Sequence, residues 1–178
     1  MESAEMVQND LIKEVSSLND VWCVVPVYNN AATVREVALA CRKYLQQMLV
    51  VDDGSTDTDV VALFAGTDIA VVRHPANRGK GAALMTALKY VSDHGGAFMV
   101  TVDADGQHYP DDIPLFIKEL DAATILVGTR DFTAANVPGS SKFGRNFSNF
   151  WFRIETGIAA GDTQSGFRAY PVEYVKKL

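Results

Sequence analysis

The sequence predicts an α/β domain, a three-layer sandwich built on a mainly parallel central sheet. Short continuous apolar runs, of which VWCVVPV (Val21–Val27) is the clearest, have the length and uniformity of strands buried on both faces. These runs alternate with segments of helical periodicity, the pattern of a parallel sheet covered on both sides. The connections between them are short, and no linker, internal repeat or low-complexity tract divides the chain. Residues 1–20 read as an N-terminal helix or linker and residues 21–178 as one domain.

The elements follow in order. Val7, Leu11, Val15 and Leu18 recur at helical spacing before the first strand. Pro26 lies near that strand's end, where a strand tolerates proline. Thr33 and Glu36 have the spacing of a capping box, opening a helix that carries Val34, Val37, Cys41 and Leu45. A second strand over 49–52 runs into the turn DDGSTD and a helix ending at Phe64. A third strand over 69–72 leads through HPANRGKG to a helix over 82–91. A fourth strand, 98–102, ends in DADGQHYP, a helix covers 113–120, and a fifth strand, 124–127, ends in GTR. After Arg130 the rhythm breaks. DFTAANVPGSSK has loop composition, and GRNFSNFWFRIETG reads as an aromatic-rich helix. The sequence ends at Leu178 in what reads as the start of a further helix, so truncation of a longer protein is expected.

Composition narrows the function. The 178 residues are long enough to bury roughly 70% of the unfolded chain's surface. With 48% hydrophobic and 21% charged residues, the chain has the balance of a globular domain. A net charge of -6 disfavours nucleic acid as a partner but leaves room for a local basic pocket. Cys23 and Cys41 fall in separate apolar segments and are expected to be buried reduced thiols. No apolar run reaches the ~18 residues of a membrane-spanning helix, and the N-terminus lacks a secretory pattern.

The carboxylates carry the chemistry. In an open parallel sheet, ligands bind beyond the carboxyl ends of the strands. The second strand ends in Asp52 and Asp53, the fourth in Asp103, Ala104 and Asp105, and the fifth in Arg130. Converging carboxylates call for a hard divalent cation, Mg²⁺ or Mn²⁺, which takes one or two of them and completes its shell with water and phosphates. Asp103 and Asp105 point the same way if the strand continues through them, and Gln107 lies two residues further on. Asp52 is equally readable as a turn former.

The segments VPVYNN, VVDDGSTD, NRGKGAAL, TVDADGQHYPDD and GTR, in this order and spacing, resemble glycosyltransferase family 2, which has the GT-A fold. GRNFSN and DTQSGFRAYP resemble its polyprenyl-phosphate sugar synthase branch. The resemblance runs from Val21 to Pro171. It implies an inverting, metal-dependent transferase using a GDP- or UDP-linked sugar. It also implies a nucleoside pocket at Pro26, Tyr28, Val51 and Asp53, and donor contacts along Asp103, Ala104 and Asp105. Asp105 and Gln107 would hold the metal. Arg130, Arg145 and Ser148 would hold an acceptor phosphate, consistent with the fit of guanidinium groups to phosphate oxygens. Asn30 stands where the family often has an acidic residue.

Several residues keep two readings. If the acceptor is a hydroxyl, a base must take its proton, and Asp162 is a candidate for that role as much as for capping a loop. NRGKG reads as a tight turn or as an anion-binding loop before a helix. His74, His94 and His108 share no metal spacing and read as surface or helix-end residues. The aromatic run from Phe143 to Phe152 reads as helix packing, with a secondary role beside a lipid chain or membrane surface. Three functions remain: a lipid-phosphate sugar transferase, a family 2 transferase acting on a sugar or protein hydroxyl, and a non-catalytic donor-binding module. The expected location is the cytoplasm, at the cytoplasmic face of a membrane if the acceptor is a lipid.

Overall fold

A computed structural model describes residues 18–107, 110–128 and 165–177. Its core is a six-stranded sheet of β1 (Val21–Val27), β2 (Gln47–Asp52), β3 (Ala70–Arg73), β4 (Phe98–Thr101), β5 (Leu126–Val127) and β6 (Arg168–Pro171), in the order β3-β2-β1-β4-β6-β5. The four strands β3, β2, β1 and β4 are mutually parallel, while β6 runs antiparallel to both β4 and β5. The sheet is therefore mixed, and the GT-A-like three-layer architecture agrees with expectation.

Every residue of β1 is buried, because the strand is central and covered on both faces. Val21, Cys23, Val25 and Val27 face α1 (Val34–Cys41), α2 (Val60–Leu63) and α4 (Ile113–Lys118). Trp22 and Val24 face α3 (Lys80–Asp93) and α5 (Val172–Val175). Alternate side chains thus feed two separate cores, which is why the run carries no polar residue. Cys23 and Cys41 meet in the first of these cores although they are distant in sequence. Both are free, and the Cys23 thiol is raised by its hydrogen bond with Cys41 and by burial.

The sheet opens where the site will lie. The β1–β4 pairing ends at Val24 and Thr101, with Val102 N–H donating to the Val24 carbonyl. Pro26 has the same orientation as Val24 and has no N–H to carry the ladder further toward β4. On its other side β1 stays paired with β2 as far as Val27 and Asp52. The strands part on one side only.

Three local expectations change. Thr33 makes no side-chain cap to α1; its hydroxyl donates to the Ala104 carbonyl at 2.5 Å instead, so the capping box is not formed. The helix after the DDGSTD turn is only four residues long and is capped by Asp59, which accepts from Ala62 N–H at 3.2 Å. The segment RAYP, to which the sequence reading assigns no element, forms the antiparallel strand β6. Of the expected N-terminal helix or linker over 1–20, only Leu18–Asp20 are described, as a short 3-10 turn; residues 1–17 and the aromatic segment lie outside the described residues.

Gly54 has φ +77°, and a Cβ there would stand 2.5 Å from the Ala76 backbone. Gly66 has nearly the same φ, +78°, with nothing within 4 Å. Gly66→Ala should lose about 1 kcal/mol for the left-handed backbone alone. Gly54→Ala should lose clearly more in urea unfolding, and equal losses would show that the β2 turn and the 75–79 loop separate easily.

Candidate functional site

A cleft of about 290 Å³ opens beyond the ends of β1, β2 and β4. Pro26, Tyr28, Asp53, Asp103, Ala104 and Asp105 line it, all anticipated from sequence. Asn30, Asn77, Gly79, Lys80 and Ala83 line it as well. Val51 does not. It is fully buried between β2 and α3, because its side chain points into the sheet's packed face below the cleft.

The end of β1 turns sharply at Asn29, a non-glycine residue with φ 52°. Asparagine tolerates this region, and here its side chain also holds the turn. Asn29 Oδ1 accepts from Thr56 N–H at 2.8 Å, while Asn29 N–H donates to Ser55 Oγ at 3.1 Å. Tyr28, just before the turn, keeps 44% of its surface exposed at the cleft wall.

The two aspartates that end β2 divide their work. Asp52 is fully buried and accepts from Ser55 N–H at 2.8 Å, a turn-forming bond three residues ahead. Arg73 Nη1 lies 3.3 Å from its other oxygen, an ion-pair contact without hydrogen-bond geometry. Asp53 faces the cleft but is only 3% exposed. Its Oδ1 meets His74 Nδ1 at 2.6 Å and accepts from Arg78 N–H at 3.0 Å; its Oδ2 accepts from Gly79 N–H at 2.7 Å. Gly79 N–H is shared with Asn77 Oδ1 at 2.9 Å. Gly79 is the N-cap of α3, so the carboxylate also sits at the positive end of a 14-residue helix. Burial pushes Asp53 upward, but the bonds from His74, Arg78 and Gly79 outweigh it and hold the carboxyl below its usual range.

His74 is itself buried, contrary to its surface reading, and its Nε2 lies 2.8 Å from Thr86 Oγ1 on α3. An isolated histidine between a strand and a loop has no sequence signature for such a role. His94 does sit at a helix end, as the C-cap of α3, and stacks on Tyr90. His108 lies outside the described residues.

At the end of β4, Asp103 meets Lys80 Nζ at 2.5 Å. Gly166 packs against the same carboxylate so closely that an added Cβ would overlap it. The Gly166 carbonyl is in turn fixed by the Thr101 hydroxyl at 2.7 Å. Ala104 is held by Thr33, and Asp105 is exposed, with Oδ1 accepting from Gln107 N–H at 3.0 Å. The Gln107 side chain is exposed and does not line the cleft. Among the described residues, no three His, Cys, Asp or Glu side chains gather as a metal cage. Asp103 and Asp105 nevertheless suit a hard cation that completes its shell with water and phosphate oxygens. Arg130, Arg145, Ser148 and Asp162 lie outside the described residues.

The family described as Glycosyl transferase family 2 matches residues 22–178, and the chain belongs to it. An uncharacterised protein of Methanocaldococcus jannaschii is 33% identical over 178 residues, covering 96% of this chain and 72% of that one. The UDP-N-acetylglucosamine–dolichyl-phosphate N-acetylglucosaminyltransferase of Methanococcus voltae is 28% identical, covering 89% and 72%. Among solved structures, glucosyl-3-phosphoglycerate synthase from Mycobacterium tuberculosis with Mn²⁺ and UDP-glucose superposes with a TM-score of 0.66 at 20% identity. That match covers 96% of this chain and 62% of the other, so the chain spans less than two thirds of that structure's length. It establishes likeness of fold.

The lowered Asp53 carboxyl makes stability depend on pH. Its contribution is complete above the unfolded value of about 3.9 and is lost as pH falls through the lower folded value. Asp53→Asn should be less stable than the parent at pH 7, with the gap narrowing in acid unfolding below about pH 4. A gap that stays constant from pH 7 to pH 2 would show that the carboxylate's charge contributes nothing.

Proposed function

We propose that the domain transfers a sugar from a nucleoside diphosphate to an acceptor oxygen with inversion, assisted by Mg²⁺ or Mn²⁺. The single observation that carries this reading is the lining of one cleft by Asp53, beyond the end of β2, and by Asp103 and Asp105, beyond the end of β4. In that arrangement Asp53, Pro26 and Tyr28 flank the nucleoside, the exposed Tyr28 ring offering a stacking face. Asp105 would hold the metal, and Asp103, braced by Lys80 and Gly166, would contact the donor sugar or ribose. When bound, the cation supplies Lewis-acid stabilisation of the departing diphosphate. The Lys80 ammonium, which lines the cleft beside Asp103, would add positive charge where the leaving phosphate develops its own negative charge. The acceptor oxygen bonds to the anomeric carbon as the bond from that carbon to the diphosphate oxygen breaks, and the diphosphate departs with the electron pair.

Two acceptor classes follow from the relatives. The solved synthase is described in complexes with phosphoglyceric acid, a non-lipid acceptor, which favours a family 2 transferase acting on a hydroxyl. That reaction requires a base, for which Asp162 is the candidate. A polyprenol monophosphomannose synthase of Mycolicibacterium smegmatis, 29% identical over 87% of this chain and 63% of its own, favours a lipid phosphate instead. There the acceptor oxygen is already anionic, and positioning by Arg130, Arg145 and Ser148 replaces proton removal. No helix among the described residues is long and apolar enough to cross a membrane.

Calorimetry should show binding of a nucleoside diphosphate that weakens at least about tenfold in EDTA or on Asp105→Ala, while the variant keeps its unfolding midpoint. Equal affinity with and without metal would overturn the metal-assisted reading. Transfer assays separate the acceptors. Arg145→Ala should abolish transfer to polyprenyl phosphate if the lipid is the acceptor, and Asp162→Asn should abolish transfer to a hydroxyl if that is the acceptor.

A further inference from the structure

We propose that a second cavity beside the donor cleft receives the transferred sugar and selects one that carries a carboxylate, a hexuronate. The inference rests on the donor reading above and specifies its sugar. The cavity, of about 300 Å³, lies between the first turn of α3 and the strands β4 and β6. Lys80 lines both this cavity and the donor cleft. Gly166, on the cavity's wall, packs against the carboxylate of Asp103, which lines the cleft. The two spaces therefore adjoin at Asp103, where a diphosphate in the cleft would give way to its sugar.

The antiparallel return of β6 builds the cavity's floor. Thr101 and Arg168 are register partners across β4 and β6, and Tyr170 lies two residues on, on the same face. Phe167 and Ala169 alternate with them and join the opposite core. The Thr101 hydroxyl donates to the Gly166 carbonyl at 2.7 Å, and Arg168 Nε donates to the Ser165 carbonyl at 2.7 Å, which sets the plane of the guanidinium. Ser165 is 1% exposed. Its Oγ accepts from Phe167 N–H at 3.3 Å, and its own proton meets no acceptor among the described residues. The Tyr170 hydroxyl has no partner among them either.

The balance of donors and acceptors decides the ligand. Lys80 and Arg168 only donate, and Asp103 takes one of the three ammonium protons. Ser165 and Tyr170 have hydroxyl protons to give. No carboxylate stands on the cavity's described lining. A neutral sugar brings hydroxyl protons that need acceptors, and it cannot repay the desolvation of two cations. A sugar carboxylate brings acceptors only, and a guanidinium beside an ammonium gives it charge-assisted bonds. The positive end of α3, a 14-residue helix without a side-chain cap, adds to the potential on the same side.

Calorimetric titration of the chain with UDP, UDP-glucose and UDP-glucuronate, each with Mn²⁺, tests the inference. UDP-glucuronate should bind at least about tenfold more tightly than UDP-glucose. Arg168→Gln should bring the two sugars within about threefold of each other while changing UDP affinity by less than about twofold. Arg168→Lys keeps the charge without the planar fork and should retain part of the preference. Equal affinity for the two sugars in the parent overturns the inference, as does a folded Arg168→Gln that discriminates as well as the parent. If Arg168→Gln does not fold, Tyr170→Phe takes its place and should lower the ratio at least about threefold, an unchanged ratio being fatal. Phosphoglycerate that binds the UDP complex only while Arg168 is present, with no preference between the sugars, would put the anion on the acceptor and defeat the assignment to the sugar. Binding of UDP without a sugar preference defeats this inference alone, whereas binding of none of the three nucleotides defeats the donor reading with it.

Discussion

The carboxylate of Asp53 joins three stretches of chain that are remote in sequence: the end of β2, the residue following β3, and the turn that starts α3. A buried charge is tolerable only when it is this well hydrogen-bonded, and in Asp53 the donors outweigh the desolvation. Much of the cleft depends on it. The Gly79 turn fixes where α3 begins, and the first residue of that helix, Lys80, reaches across to Asp103. The two ends of the cleft are connected through this one side chain.

The far end is built differently. Asp103 is held by steric fit as much as by charge, with Gly166 against one side and Lys80 on another. The glycine comes from the segment just before β6, the antiparallel strand wedged between β4 and β5. A mixed sheet therefore has a specific use here: it returns a late piece of chain to the end of β4. The parallel half of the sheet presents the carboxylates, and the antiparallel strand brings in what packs against one of them.

Much of this was legible in the sequence because it is written locally. The strand β1 needs burial on both faces, and its seven apolar residues say so. The aspartates at the ends of β2 and β4 announce a site, since a parallel sheet presents its strand ends together. The parts that were not legible depend on long-range pairing. RAYP has neither the length nor the apolar character of a buried strand, and it becomes one only because the edge of β4 is available. Val51 belongs to the pocket by motif, but it lies two residues before Asp53, deeper along β2 where α3 packs over it, so it joins the core while Asp53, past the strand's end, faces the cleft. The role of His74 depends on Asp53, 21 residues away, and on Thr86, 12 residues away, contacts that no local pattern encodes.

The Thr33 hydroxyl gives a last consequence. A threonine just before a helix ordinarily satisfies that helix's own first N–H groups, and replacing such a cap costs about 1 kcal/mol. Here the hydroxyl is turned away to the carbonyl of Ala104, between the two aspartates of the cleft. Helix α1 starts without side-chain help so that the backbone between those aspartates is tethered. Selection for a more stable domain would favour a side chain that caps α1, and the same change would release the tether. At this position, sequences optimised for folding and sequences optimised for the cleft should diverge.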